Sequence, residues 1–161
     1  MTQTVARPPA PHPTGATEFS DGEMLAESNR RIGLISLAVG AATGLVLGLW
    51  SFDGPVPVPA WLGDYDDTSR RLARLGHIAF FGLGFTNLLL AREHPRLSLS
   101  PRALWWSSRT MNFGNIFLPL TLCGAAVWAP IKYTMSLPAT SIFVALLIAA
   151  IGVGGGSHEP R

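Results

Sequence analysis

The chain has 161 residues, the size of one domain, and charged residues make up only 14% of it, about half the share usual in soluble domains. So few charges cannot solvate a surface of this size, which excludes an ordinary water-soluble domain. The formal net charge is +2, and the arginines are scattered between apolar blocks, which argues against nucleic-acid binding. The single cysteine, Cys123, excludes an internal disulfide and a thiolate metal cage.

Four apolar blocks follow a polar, proline-rich leader, and their lengths approach the roughly 20 residues needed to cross a hydrocarbon core. They predict transmembrane helices over about 32–50, 72–91, 110–129 and 138–153. The flanks lack apolar periodicity, so we predict a disordered cytoplasmic tail over 1–29 and a flexible tail over 155–161. The predicted fold is an all-α integral membrane bundle of four helices, formed by residues 30–154.

The basic residues of the short loops indicate how the bundle is oriented. The side that holds both termini carries six arginines, Arg30, Arg31, Arg92, Arg96, Arg102 and Arg109. The other side carries four basic residues, Arg70, Arg71, Arg74 and Lys132. This bias favours cytoplasmic termini.

A tryptophan-containing segment between the second and third blocks predicts a short interfacial helix. It reads SLSPRALWWSSR over 98–109, with Ser100 as the cap and Pro101 in the first turn. Four arginines surround it, Arg92, Arg96, Arg102 and Arg109. We expect them to bind anionic lipid headgroups.

Small residues recur every four positions along the first block, at Ser36, Gly40, Gly44 and Gly48. In lipid, close approach of two helices requires such a smooth ridge. Packing within the bundle and docking onto another chain are the two interpretations of this ridge.

Three amides, Asn87, Asn112 and Asn115, lie within the second and third blocks. An amide in hydrocarbon needs a partner, so Asn87 is expected to bond to Asn112, to Asn115 or to the backbone carbonyl that Pro119 frees. A pocket for a small polar solute or an ion is the alternative.

One face of the second block combines arginines with a histidine, because Arg70, Arg74, His77, Phe81 and Gly84 recur at helical spacing. Here His77 would either bond to a neighbouring helix or bind the iron of a haem b whose propionates Arg70 and Arg74 hold. The nearby acids of the loop could instead pair with the arginines. A second axial ligand is difficult to find, so no cofactor is the main expectation.

The four-helix plan and the segment RRLARLGHIAFFGLGFTNLL, residues 70–89, resemble small bacterial membrane proteins and accessory subunits of respiratory complexes. The resemblance covers one helix. It implies a non-catalytic accessory or scaffold subunit that contacts membrane lipids and other membrane subunits through the ridge and the ordered loop after the first block. A haem-binding electron carrier centred on His77 and a small-solute carrier are the alternatives.

Overall fold

The computed structural model describes residues 21–51, 54–65 and 67–154 and confirms an all-α bundle of four helices. The helices are α1 (Asp21–Gly48), α2 (Thr68–Glu93), α3 (Pro101–Val127) and α4 (Ser136–Gly154). All four are long and apolar enough to cross a membrane, as a multi-pass membrane protein requires. Two 3-10 turns, His94–Arg96 and Ala129–Thr134, lie in the loops.

The first helix begins earlier than predicted. It starts at Asp21, so the prediction of disorder is wrong for residues 21–29, and the remainder of the predicted tail lies outside the described residues, as does 155–161. Within these additional turns, Glu27 accepts a bond from Nε of Arg30 at 2.7 Å, one helical turn away. Asn29 is fully buried, which joins this polar stretch to the bundle.

The predicted interfacial helix is not a separate element, which corrects the prediction for 98–109. Ser100 caps as expected, since its Oγ accepts from the backbone N of Ala103 at 3.3 Å. The helix that begins at Pro101 then continues without a break as α3 to Val127. Ser107 and Ser108 are buried in helix contacts, so this segment is part of the bundle wall.

Successive helices run antiparallel, as the residue numbers at their contacts show. Positions 33, 40 and 44 of α1 meet positions 84, 81 and 77 of α2 in that order. Across the α3–α4 contact, Ser107 Oγ donates to the carbonyl of Ala145 at 3.1 Å. Helix α2 lies between α1 and α3, whereas α4 packs on the far side of α3.

Candidate functional site

The small residues of α1 pack against α2 within the same chain. Ser36 Oγ lies 2.9 Å from the carbonyl of Phe80, and a Cβ atom at Gly40 would lie 3.1 Å from the Phe81 ring. At Gly44 a Cβ atom would lie only 2.5 Å from Cε1 of His77. A Cβ atom at Gly48 would meet no other described residue within 4 Å. Three of the four predicted ridge residues therefore pack within the bundle, which favours the first of the two interpretations of the ridge.

His77 bonds to the backbone of the neighbouring helix. Its Nδ1 lies 2.9 Å from the carbonyl oxygen of Gly40 and 3.3 Å from Oγ1 of Thr43. A carbonyl only accepts, so Nδ1 carries the hydrogen and donates it to Gly40. The ring also contacts the Phe81 ring edge to face, with centroids 5.3 Å apart. His77 is thus a link between α1 and α2.

The two arginines above His77 hold the loop that joins α1 to α2. The buried Arg70 donates to the carbonyl of Trp50, and Arg74 donates to the carbonyl of Tyr65 at 3.3 Å. The Arg74 guanidinium also lies 4.0 Å from the centroid of the Tyr65 ring. Among the described residues, the guanidinium groups of Arg70 and Arg74 therefore interact with backbone carbonyls and an aromatic ring.

The space that a haem would need beside Gly84 is occupied by α1. A Cβ atom at Gly84 would lie 3.0 Å from the carbonyl of Gly33 and from the Leu37 side chain. On this face of α2, Gly84 and His77 contact α1, while Arg70 and Arg74 bond to the loop that joins the two helices. The packing does not fit a macrocycle there.

The amides form a hydrogen-bonded network that joins three helices. Asn87 Nδ2 donates to Asn112 Oδ1 at 2.8 Å, and Asn112 is one of the three partners predicted for it. Asn112 Nδ2 lies 3.3 Å from both Ser28 Oγ and Asn29 Oδ1, and Ser108 also donates to Asn29. The sequence analysis missed Ser28, Asn29 and Ser108 as members of this network, although the position of Asn29 seven residues before Ser36 places it on the same face of α1.

Asn115 belongs to a second polar layer one helical turn away. Its Oδ1 lies 3.0 Å from Oγ of Ser36, while Asn115 itself is 1% exposed. Among the described residues, no partner exists for its Nδ2. This layer links α1 to α3 near the middle of both helices.

The four arginines predicted to bind lipid headgroups are all exposed, at Arg92, Arg96, Arg102 and Arg109. Arg96 pairs with Glu93 at 2.9 Å, and the Arg109 guanidinium lies 5.6 Å from the Trp105 ring centroid. His94, beside them, is 2% exposed, and neither ring nitrogen has a partner among the described residues. Sequence analysis missed the burial of His94 because a histidine followed by proline resembles a loop.

The loop between α1 and α2 is fixed along its described length. Leu62 is fully buried against Ala73 and Ala126, and the Trp61 ring meets the Trp50 ring edge to face at 6.4 Å. Gly63 adopts a φ of 66°, which suits glycine. Asp67 lies at the N-cap position of α2, but its carboxylate accepts from the backbone N of Asp64, in the loop, at 2.7 Å.

Four large apolar side chains of this fixed loop point outward. They are between 40% and 48% exposed, at Val56, Val58, Trp61 and Tyr65. We call these four residues the loop patch.

No family model, curated protein or solved structure matches this chain.

Proposed function

We propose that this chain is a non-catalytic accessory or scaffold subunit of a larger complex in the bacterial inner membrane, with both termini in the cytoplasm. The observation that carries the proposal is the loop patch, an ordered apolar surface outside the spanning helices. A loop that is fixed before binding loses little conformational entropy when a partner covers it. Exposed tryptophan and tyrosine side chains are common at protein interfaces.

The contacts of the spanning helices support binding rather than chemistry as the role. Four polar side chains of the spanning helices form hydrogen bonds across helix interfaces, namely Ser36, His77, Asn87 and Asn112. Stabilisation of the bundle therefore explains why these polar residues are present. Three of the four ridge residues of α1 pack against α2, so the loop, the other predicted contact, is the one we propose. Lipid surrounds the remaining apolar faces, and the exposed arginines anchor the cytoplasmic end.

The test is the size of the complex that the chain forms in native membranes. Native gels of mildly solubilised membranes should show the chain in a species larger than a lipid–detergent monomer. The double variant Val56→Asp with Val58→Asp should release it, because a partner cannot cover two carboxylates without cost.

The control variant is Tyr133→Ser, in the Ala129–Thr134 turn. Tyr133 is 78% exposed and also lies outside the long helices, so its removal should leave the complex intact. A chain that runs as a monomer in the wild type, or a complex that survives both aspartates, would contradict the proposal.

A further inference from the structure

A cavity of about 750 Å³ lies beside the loop that joins α1 to α2. It is lined by loop residues 54–58, by Trp50 and Tyr65, and by Arg70 of α2. The side chains of Val56, Val58 and Tyr65 are each at least 40% exposed, so the cavity is open at the surface. Its volume lies in the range of about 300–1,000 Å³ that small-molecule sites occupy.

The charged end of Arg70 is the part of that residue at the cavity wall. The guanidinium donates to the carbonyl of Trp50, and its carbon Cζ lies 5.3 Å from the centroid of the Tyr65 ring. Trp50 and Tyr65 both line the cavity. A guanidinium has five N–H donors, so the bond to Trp50 leaves several of them for a ligand.

No carboxylate neutralises Arg70 among the described residues. Arg70 is only 8% exposed, and its partners there, the Trp50 carbonyl and the Tyr65 ring, are uncharged. Arg74 adds a second cation, whose guanidinium lies 4.0 Å from the centroid of the same ring and has no carboxylate partner in the described part of the chain. A buried charge without a counter-ion is costly, so the cavity favours an anion.

The depth of Arg70 in the bundle indicates which anion is at hand. Arg70 and Arg92, at opposite ends of α2, are 22 residues apart, which is about 33 Å along the helix. A hydrocarbon core is about 30 Å thick, so the two arginines lie at the two headgroup levels. Trp50 and Tyr65 beside Arg70 are side chains typical of that level. The membrane itself therefore supplies phosphate groups at the depth of the cavity.

We propose that this cavity binds the phosphodiester headgroup of a phospholipid, from the leaflet on the side of the α1–α2 loop. A phosphodiester carries its negative charge on two free oxygens, and the planar guanidinium of Arg70 can donate to both at once. Val56 and Val58 then contact the glycerol and the first carbons of the acyl chains. Both valines also belong to the loop patch, so the lipid lies between Arg70 and a docked partner.

Native mass spectrometry of the full chain measures this binding directly. The chain is released from detergent at increasing concentrations of dioleoylphosphatidylglycerol, and we expect a saturable adduct. Dioleoylglycerol has the same acyl chains without the phosphate and should bind at least about tenfold more weakly, because it cannot form a charged hydrogen bond with Arg70. The assay needs no partner protein, so its failure is distinguishable from failure of the proposed accessory role.

Two pairs of variants locate the site. Arg70→Gln should raise the Kd for dioleoylphosphatidylglycerol at least about tenfold, whereas Lys132→Gln, at an exposed cation on the same side of the bundle, should leave it unchanged. Val58→Glu adds a carboxylate to the cavity wall and should weaken binding by repulsion, whereas the uncharged Val58→Gln should not. Each variant is first checked for a monodisperse elution profile. The Val58 pair leaves the bond from Arg70 to Trp50 in place, so it decides the question if Arg70→Gln does not fold.

Several outcomes would overturn the proposal. Equal binding of dioleoylglycerol, or unchanged binding in both Arg70→Gln and Val58→Glu, would mean that the lipid does not bind through its phosphate in this cavity. Displacement of the lipid by an equal concentration of inorganic phosphate would mean a site for a soluble anion.

Two further results would assign the positive charge of Arg70 to another anion and would also contradict the proposal. Asp53 and Asp66 lie outside the described residues. A lipid adduct that forms only in the double variant Asp53→Asn with Asp66→Asn would mean that acids of the chain fill the site. Release of the chain from its native complex by Arg70→Gln, without any lipid adduct in the wild type, would mean a carboxylate of a partner protein.

Discussion

Helix α1 contacts its two neighbours in different ways, and the difference shows what holds a small bundle together in lipid. Against α2 it is close along much of its length, because Gly33, Gly40 and Gly44 leave room for α2 side chains and backbone. Against α3 it is held by two polar layers and otherwise stands apart. Small residues produce continuous contact, whereas isolated amides join helices at points and leave a groove between them.

The largest expected effect comes from filling the α1–α2 contact. Gly44→Leu should lower the free energy of unfolding by about 3 kcal/mol, since its Cβ atom would meet the His77 ring at 2.5 Å. Gly48→Leu is the matched control on the same ridge, where an added Cβ atom would lie within 4 Å of no other residue in the described part of the chain. Unfolding in mixed micelles measures both.

Whether the new side chain at position 44 clashes with the His77 ring can be tested by removing that ring. Gly44→Ala alone should be destabilising, and adding His77→Ala should recover part of the loss by removing the ring that the new methyl meets. No recovery, or equal effects of leucine at positions 44 and 48, would show that the contact of α1 with α2 is not as close as described.

The amide network should contribute less. Asn112→Leu should cost about 1–2 kcal/mol, because it leaves Asn87 and Asn29 without a bond that each now has. The control is Thr121→Val; among the described residues, the Thr121 hydroxyl bonds to the carbonyl of Leu118 in its own helix and to no other helix. The double variant Asn87→Leu with Asn112→Leu should cost less than the sum of the single variants; additive costs would argue against a bond between them.

The loop patch depends on a weaker contact. Tyr65→Leu removes the ring beneath Arg74 and should speed amide hydrogen exchange in residues 54–65 about fivefold, which corresponds to about 1 kcal/mol of cation–π energy. Tyr133→Leu removes the similar contact of Lys132 with Tyr133, and exchange in 54–65 should not change. Unchanged exchange after Tyr65→Leu would mean that the arginine–carbonyl bonds alone fix the loop.

The last prediction concerns the absorption spectrum of the purified chain, in which we expect no effect of a cofactor. Because α1 occupies the space beside Gly84 and His77 donates to Gly40, the purified chain should show no Soret band. A Soret band that His77→Ala abolishes would restore the haem hypothesis and require α1 to move away from α2.

The sequence was sufficient to predict the four helices, because a run of about 20 apolar residues in lipid has few alternatives to a spanning helix. It also predicted that Asn87 bonds to the third helix, with Asn112 as one of three candidate partners, because an amide in hydrocarbon needs a partner. It failed for residues 21–29 and 98–109. There the residues look polar or interfacial by composition, and only their contacts with α3 and α4 reveal that they continue the bundle.

Length, hydropathy and the positions of the glycines and amides were set by the sequence alone, because each follows from the local chemistry of a segment in hydrocarbon. The tertiary structure decided which neighbour each face meets. The α1 ridge meets α2 within the chain, Arg70 and Arg74 meet loop carbonyls, and α1 stands apart from α3. Helix faces of similar composition contact different neighbours because each helix is rotated differently about its own axis in the bundle. The local sequence pattern does not specify that rotation.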